Sequence, residues 1–169
     1  PTPEPFFWEA EAEAGELVSP ITGVPSSEAS ACAYVQGPNG LGSVTYRVDL
    51  PSDGVYHVWA RVRGLGYTAD SFWVAFDGLE EMAYEISPFE DGWVWGWDMV
   101  HRKDDGIRLF YLQRGEHTLR FRPRESWARL DRLAMTNVLD WTPAPITPCD
   151  PEAAPTATPT ATASPSPTG

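Results

Sequence analysis

The sequence predicts an all-β domain, built as an antiparallel sandwich or barrel. Short segments alternate apolar and polar residues with the period of two that a strand imposes, and turn residues separate them at spacings of about ten residues. No window shows a convincing helical period. The composition agrees with this fold class, because 8 Trp, 6 Tyr and 7 Phe beside a single lysine are typical of secreted all-β domains.

The predicted strands follow one another through the middle of the chain. The first two each place four alternate residues on an apolar face: Val44, Tyr46, Val48 and Leu50, then Tyr56, Val58, Ala60 and Val62. Between them, residues 51–54 (Pro-Ser-Asp-Gly) predict a turn. Further strands are predicted at 71–77, 107–112, 117–121 and 130–136. The nearly continuous apolar run at 107–112 indicates a strand covered on both faces.

The composition divides the chain into a foldable region at 6–142 and Pro-rich segments on either side of it. Residues 1–5 are typical of the end of a linker. Residues 143–169 form a Pro/Thr/Ser-rich linker or tail, for which polyproline II or disorder is expected because it has no apolar face to bury. Such tails are often O-glycosylated, and the candidate acceptors are Thr156, Thr158, Thr160 and Thr162.

Charge and motifs exclude several classes of function. A net charge of −12 argues against nucleic-acid binding, which needs a basic surface. No apolar run approaches the length of a membrane span. The first residues carry no targeting signal, so we expect a mature or cut product. The Pro-rich segments at both ends are typical of a module in a larger secreted or cell-surface protein. No nucleophile elbow, phosphate-binding glycine loop or Cys/His metal spacing occurs, so we expect no enzymatic activity.

The two cysteines, Cys32 and Cys149, have two possible states. In an oxidising compartment they would pair, and closing so long a loop would contribute up to about 4–5 kcal/mol in the chain-entropy model. The alternative is two unrelated thiols, one in a strand and one in the tail. The disulfide is favoured.

Six short motifs occur in order along residues 6–137. They are Glu11-Ala12-Glu13 with 14–17 behind it, 54–62, Asp70–Val74 with Asp77-Gly78, Trp93-Val94-Trp95, 112–119 and Leu130-Asp131-Arg132-Leu133. In this order they resemble the galactose-binding-like β-jelly-roll modules, specifically the relatives of carbohydrate-binding module families 6 and 35. The resemblance implies a two-sheet antiparallel jelly-roll sandwich, a structural Ca²⁺ ion, and non-catalytic binding of glycans in extracellular proteins.

Acidic residues near both ends of the module suggest where the ion would bind. Glu9, Glu11 and Glu13 alternate, so on one strand all three would point the same way and repel each other. Asp131 shares a predicted face with apolar residues, where an unpaired carboxylate is costly. By the family pattern, Glu11, Glu13 and Asp131 would bind Ca²⁺ together with backbone carbonyls, although Glu9-Ala10-Glu11 fits the same motif. The alternative is a solvated acidic edge strand with an Asp131–Arg ion pair.

Aromatic residues provide the candidate glycan site, because pyranose rings stack on aromatic side chains while polar groups hold the hydroxyls. Tyr67 lies in a Gly-rich loop, and Trp127 precedes the last predicted strand. Asn137 follows that strand, at a position that often binds a sugar hydroxyl in the family. Trp95 is expected on a strand face with Trp93 and Trp97. The alternative for each Trp is packing between the sheets, which we favour for Trp59 and Trp73.

One segment departs from the family pattern and leaves other functions open. Where many members have Ala-Ser-Gly-Gly, this chain has Ala29-Ser30-Ala31-Cys32, so backbone and ligand could approach each other less closely. The alternative function is a structural subunit of an extracellular filament, sheath or surface layer, whose tail contacts a neighbouring copy. A glycoside hydrolase is the third class, and carboxylates adjacent in sequence do not argue for it.

Overall fold

The computed structural model describes residues 2–149, and these form two antiparallel sheets packed face to face. The strands are β1 (Phe7–Glu11), β2 (Glu16–Val18), β3 (Thr22–Pro25), β4 (Ala33–Gln36), β5 (Ser43–Leu50), β6 (Gly54–Arg63), β7 (Ser71–Phe76), β8 (Met82–Glu85), β9 (Gly96–Met99), β10 (Phe110–Leu112), β11 (Gly115–Pro123) and β12 (Arg129–Thr136). The seven-stranded sheet has the order β10-β6-β12-β4-β3, with β1 also paired to β12 and β9 also paired to β6. The five-stranded sheet has the order β2-β5-β11-β7-β8. The predicted two-sheet jelly roll is confirmed.

The core between the sheets consists of the residues that the alternation placed on the apolar faces. The eight apolar-face residues of β5 and β6 are each at most 4% exposed. Burying an aliphatic or aromatic side chain of this size contributes about 1.5–3 kcal/mol, so these two strands supply a large part of the driving force for folding.

The first acidic strand ends earlier than predicted. β1 stops at Glu11, and Ala12–Ala14 form one turn of 3₁₀ helix, so Glu13 does not continue the alternation of Glu9 and Glu11. The turn is needed because β1 pairs with β12 in one sheet whereas β2 pairs with β5 in the other. Gly15 completes the crossing, since a Cβ there would collide with Val44.

Two further strand predictions are corrected by the structure. The run 107–112 forms a strand only at Phe110–Leu112, which is an edge strand, so Leu109 and Tyr111 are 48% and 69% exposed and are not covered on both faces. β9 begins at Gly96, so Trp93 and Trp95 precede it and do not share a strand face with Trp97.

The segment after β12 runs back along the outer side of the seven-stranded sheet. The ring of Trp141 contacts Phe7, with 5.5 Å between centroids, and the indole N–H of Trp97 donates to the Ala144 carbonyl at 3.0 Å. Cys149 then forms a disulfide with Cys32, and its N–H donates to the Ala29 carbonyl. The favoured pairing of the cysteines is confirmed. We call residues 138–149 the strap.

The strap, residues 138–149, spans the boundary that the sequence predicted between the folded region at 6–142 and the tail at 143–169. The candidate O-glycosylation sites Thr156, Thr158, Thr160 and Thr162 lie outside the described residues. No helix within residues 2–149 is long and apolar enough to cross a membrane.

Candidate functional site

Four loops meet at one end of the sandwich. Arg129, at the start of β12, pairs with Arg63 at the end of β6, and Pro123 at the end of β11 pairs with Phe72 at the start of β7. Loops 64–70 and 124–128 are therefore neighbours. Loops 37–42 and 86–95 join them through hydrogen bonds from Trp127 N–H to the Gly37 carbonyl and from Arg63 Nε to the Trp93 carbonyl. We call this region the loop end.

The loop end carries the exposed aromatic rings that sequence analysis singled out. Tyr67 is 78% exposed and Trp127 is 49% exposed. Trp93, which was not selected as a binding residue, contacts Tyr67 edge-on with 5.2 Å between ring centroids. Gly64 permits this arrangement, because a Cβ there would overlap the Trp93 ring. The result is a rim of aromatic surface open to solvent.

Trp127 is held in an unusual backbone conformation. Its φ is 75°, in the left-handed region that costs an L-residue about 1–2 kcal/mol. The loop is fixed on both sides of this position, since Ser126 Oγ accepts from Asn39 N–H at 2.8 Å and Trp127 N–H donates to Gly37 at 3.0 Å. Residues held in such conformations concentrate at ligand sites, where the surrounding structure compensates for the strain.

Two carboxyl groups, missed by the sequence analysis, lie beneath this rim. Asp70 is 2% exposed, its N–H donates to Glu125 Oε2 at 3.2 Å, and its carboxyl faces that of Glu125. Burial, followed by the hydrogen bond and the charge of Glu125, raises the pKa of Asp70 to about 7. The two residues are 55 positions apart, so no local pattern in the sequence could have indicated their contact.

Trp95 belongs to loop 86–95 of the loop end, but its ring packs on neighbouring side chains, whereas Asn137 lies at the opposite end of β12. The Trp95 ring packs against Tyr34 and lies under the guanidinium group of Arg61, at 5.3 Å from the ring centroid. Asn137 follows the eight-residue strand β12, roughly 25 Å from its Trp127 end. Its side chain accepts from Phe6 N–H at 2.8 Å and donates to the Glu4 carbonyl at 2.9 Å, which fixes the N-terminal segment.

Trp59 and Trp73 were expected to pack between the sheets, but their neighbours along β6 and β7 fill the core and both tryptophans are half-buried on the outer faces. The guanidinium groups of Arg122 and Arg124 lie 5.8 Å and 5.5 Å from the centroid of Trp73, so its ring is already in contact with cations. Trp59 has its indole nitrogen buried.

The predicted metal residues converge, but arginines form ion pairs with three of the four: Asp131, Glu9 and Glu11. Asp131 is fully buried, both of its carboxylate oxygens share the Ser30 N–H, and it forms an ion pair with Arg61. Arg132 pairs with Glu9 and with Glu11, in the latter case at 2.6 Å. The Asp131–Arg ion pair, which was the alternative to a metal site, is therefore present.

Two oxygens in this cluster have no partner. Glu11 Oε2 and Glu13 Oε2 are buried without a hydrogen bond, and burial together with the charges of Glu11 and Asp131 raises the pKa of Glu13. Within residues 2–149, no three acidic, His or Cys side chains are arranged to hold a metal ion by themselves. Two carboxylate oxygens are nevertheless hard donors of the kind that Ca²⁺ prefers, so the residues fit a cation whose other ligands are not side chains.

Comparison with known proteins places the fold among carbohydrate-active enzymes and their accessory modules. No protein-family profile and no curated protein sequence matches the chain. A family 35 carbohydrate binding module from Clostridium thermocellum superposes with a TM-score of 0.60 at 19% identity, covering 75% of this chain and 96% of that module.

Larger enzymes contain the same fold as one part. An exo-β-1,3-galactanase from Phanerochaete chrysosporium gives a TM-score of 0.62 at 20% identity over 77% of this chain, and a GH26-CBM35 β-(1,4)-mannanase from Podospora anserina gives 0.62 at 17% over 83%. This chain spans only 29% and 28% of those two enzymes. The fold of residues 2–149 is thus a jelly roll similar to that of a family 35 carbohydrate binding module.

Proposed function

We propose that this protein is a non-catalytic glycan-binding module of a secreted or cell-surface protein, and that glycan binds at the loop end. The observation that carries this proposal is the rim of Tyr67, Trp93 and Trp127, on a fold shared with a family 35 carbohydrate binding module. Exposed rings at the edge of a rigid scaffold provide the stacking surface that pyranose faces require. The disulfide supports an oxidising, extracellular compartment.

The carboxyl groups at the loop end argue against hydrolysis. A glycosidase places its two carboxyl groups about 5–10 Å apart on either side of the scissile bond. Asp70 and Glu125 are instead hydrogen-bonded to each other, and Asp70 is buried. We therefore expect the isolated chain to bind polysaccharide without turning it over.

The binding experiment is a glycan array followed by pull-down on insoluble polysaccharides, using wild type and the variants Tyr67→Ala and Trp127→Ala. Loss of one stacking ring is expected to weaken binding by about tenfold or more, since aromatic contacts are worth roughly 1–2 kcal/mol. Tyr111→Ala is the matched control, because Tyr111 is 69% exposed on β10, outside the loop end. Binding that is equally strong in all four proteins would place the site elsewhere, and no binding to any glycan would refute the function.

We further propose that Glu11 and Glu13 hold a structural Ca²⁺ ion close to Asp131. The support is the pair of buried, unpartnered carboxylate oxygens and the raised pKa of Glu13, both of which a divalent cation would relieve. The ion would link the turn after β1 to β12 and contribute to stability, with no part in glycan chemistry.

Thermal melting with excess Ca²⁺ and with chelator tests the ion. Saturation a hundredfold above Kd is expected to stabilise the fold by about 2.7 kcal/mol. Glu13→Gln should abolish the difference, whereas Glu16→Gln, at an exposed position on β2, should keep it. Identical transitions in Ca²⁺ and chelator would mean that Arg61 and Arg132 are the only cations that neutralise the cluster.

A further inference from the structure

The contact between Asp70 and Glu125 joins the two loops that carry the exposed rings of Tyr67 and Trp127. Glu125 Oε2 accepts from Asp70 N–H at 3.2 Å and from Ser71 Oγ at 2.8 Å. Asp70 lies three residues after Tyr67, and Glu125 lies two residues before Trp127. The contact between Asp70 and Glu125 therefore links the two loops close to both rings.

The surroundings of the pair require it to hold a proton. Asp70 faces Glu125, Glu85 and Lys103, and the Lys103 ammonium is itself paired with Glu85. Asp70 Oδ1 is buried and has no partner of its own. Two carboxylates in contact cannot both ionise without a large electrostatic cost, so one retains its proton and donates to the other.

Glu125 is the member of the pair that stays charged. Besides the hydrogen bonds from Asp70 and Ser71, it has Arg124 beside it, with 3.9 Å between Nη1 and Oε1. Arg124 Nη1 also donates to Ser71 Oγ at 3.1 Å, and the N–H groups of residues 124 and 125 both donate to the Ser71 carbonyl. The proton therefore resides on Asp70, and Glu125 accepts from it.

We propose that Asp70 and Glu125 form a proton-dependent latch that fixes loops 64–70 and 124–128 in one arrangement, so that glycan affinity at the loop end falls as the latch loses its proton. The proposal rests on the proposed function, because it concerns regulation of the same site. In the latched state, one carboxyl donates to the other and the rings of Tyr67 and Trp127 keep a fixed relation. Loss of the proton leaves two like charges in contact beneath the rim, and the loops separate.

The direction of the pH dependence follows from the pKa of Asp70. It lies at about 7 in the folded protein, above the ordinary value of 3.8, so the folded state binds the proton more tightly than the unfolded chain does. The latch therefore stabilises the fold fully at pH values below about 4, and this contribution is lost progressively until the pH has passed about 7. A ligand that binds the latched loops more tightly raises the pKa of Asp70 further. The increase is one unit for each tenfold difference in ligand affinity between the protonated and the ionised latch.

The experiment compares wild type with Asp70→Asn, whose amide cannot ionise but can still donate to Glu125. Thermal melting without ligand is recorded from pH 5 to pH 9, and binding to the glycan that scores highest in the array is measured at pH 6 and pH 8.5. For wild type we expect a melting temperature that falls until the pH passes about 7 and a Kd that rises about tenfold. Asp70→Asn should show neither change, and Kd should stay within about twofold.

Two further variants keep the test decisive. Asp49→Asn, an exposed position on β5, controls for the loss of one negative charge and should follow wild type. If Asp70→Asn does not fold, Glu125→Gln provides a second variant in which the pair of carboxyl groups is broken. Parallel melting profiles in wild type and the latch variants would overturn the latch itself.

Failure of the latch can be distinguished from failure of the function. If no glycan binds at any pH, the proposed function fails, while the melting profiles alone still decide whether the latch exists. If the melting profiles differ as expected but Kd is the same at both pH values, the latch exists without controlling the site, and the regulatory proposal is wrong.

Discussion

Ala31 and Cys32 adopt left-handed backbone conformations, with φ values of 46° and 65°. The resemblance stated for the sequence predicts Gly-Gly at these positions, and both residues adopt a conformation that glycine adopts without strain. An L-residue in this region costs about 1–2 kcal/mol, and Cys32 is held there by its covalent bond to Cys149.

Ala31→Gly is expected to stabilise the protein by about 0.5–1 kcal/mol, because glycine adopts the left-handed region without strain and loses part of that gain to its more flexible unfolded state. Urea unfolding monitored by tryptophan fluorescence measures the effect. Ala29→Gly is the control, since Ala29 is buried with φ −83° and should lose about 1 kcal/mol. A destabilised Ala31→Gly variant would show that the methyl group contributes more than the strain costs.

The strands show how far secondary-structure elements can be predicted from sequence alone. Alternation identified β5 and β6 because each has one face in the core, and the period of two is then imposed by burial. The same reasoning failed for β1 and β10, for different reasons. The end of β1 is decided by the need to cross between sheets at Ala12–Ala14, and the exposure of β10 by its position at an edge. Neither property is local.

Replacing both cysteines by serine is expected to destabilise the fold by about 2–5 kcal/mol, because the disulfide closes a loop of 117 positions and anchors the strap. The chain has no other cysteine, so no alternative bridge can form. Chemical unfolding of the double variant, compared with Trp141→Ala, separates the covalent contribution from the packing of the strap on Phe7. If the double variant unfolds at the same denaturant concentration as the wild-type protein, the bridge does not constrain the unfolded chain.

For the molecule as a whole, sequence analysis located the exposed rings but not the groups beneath them. Tyr67 and Trp127 stood out because an aromatic residue in a polar loop has no core to enter. Asn137 was also chosen for the site, but it lies at the other end of β12 from Trp127. The sequence shows that both residues flank the strand, but it does not show that the eight residues of the strand keep them far apart. Asp70 and Glu125 could not be paired without the fold, since only the hydrogen bonding of β7 to β11 brings their loops together.

The covalent link between Cys32 and Cys149 also determines how the molecule would respond to a pulling force. Tension applied at residues 2 and 149 passes through the bridge, so strands β4–β12 lie outside the covalent path and cannot be drawn out. Only residues 2–32, with β1, β2 and β3, can lengthen, by at most about 3.3–3.6 Å per residue. Most of the sandwich, including every ring at the loop end, is therefore mechanically shielded while its tether is stretched.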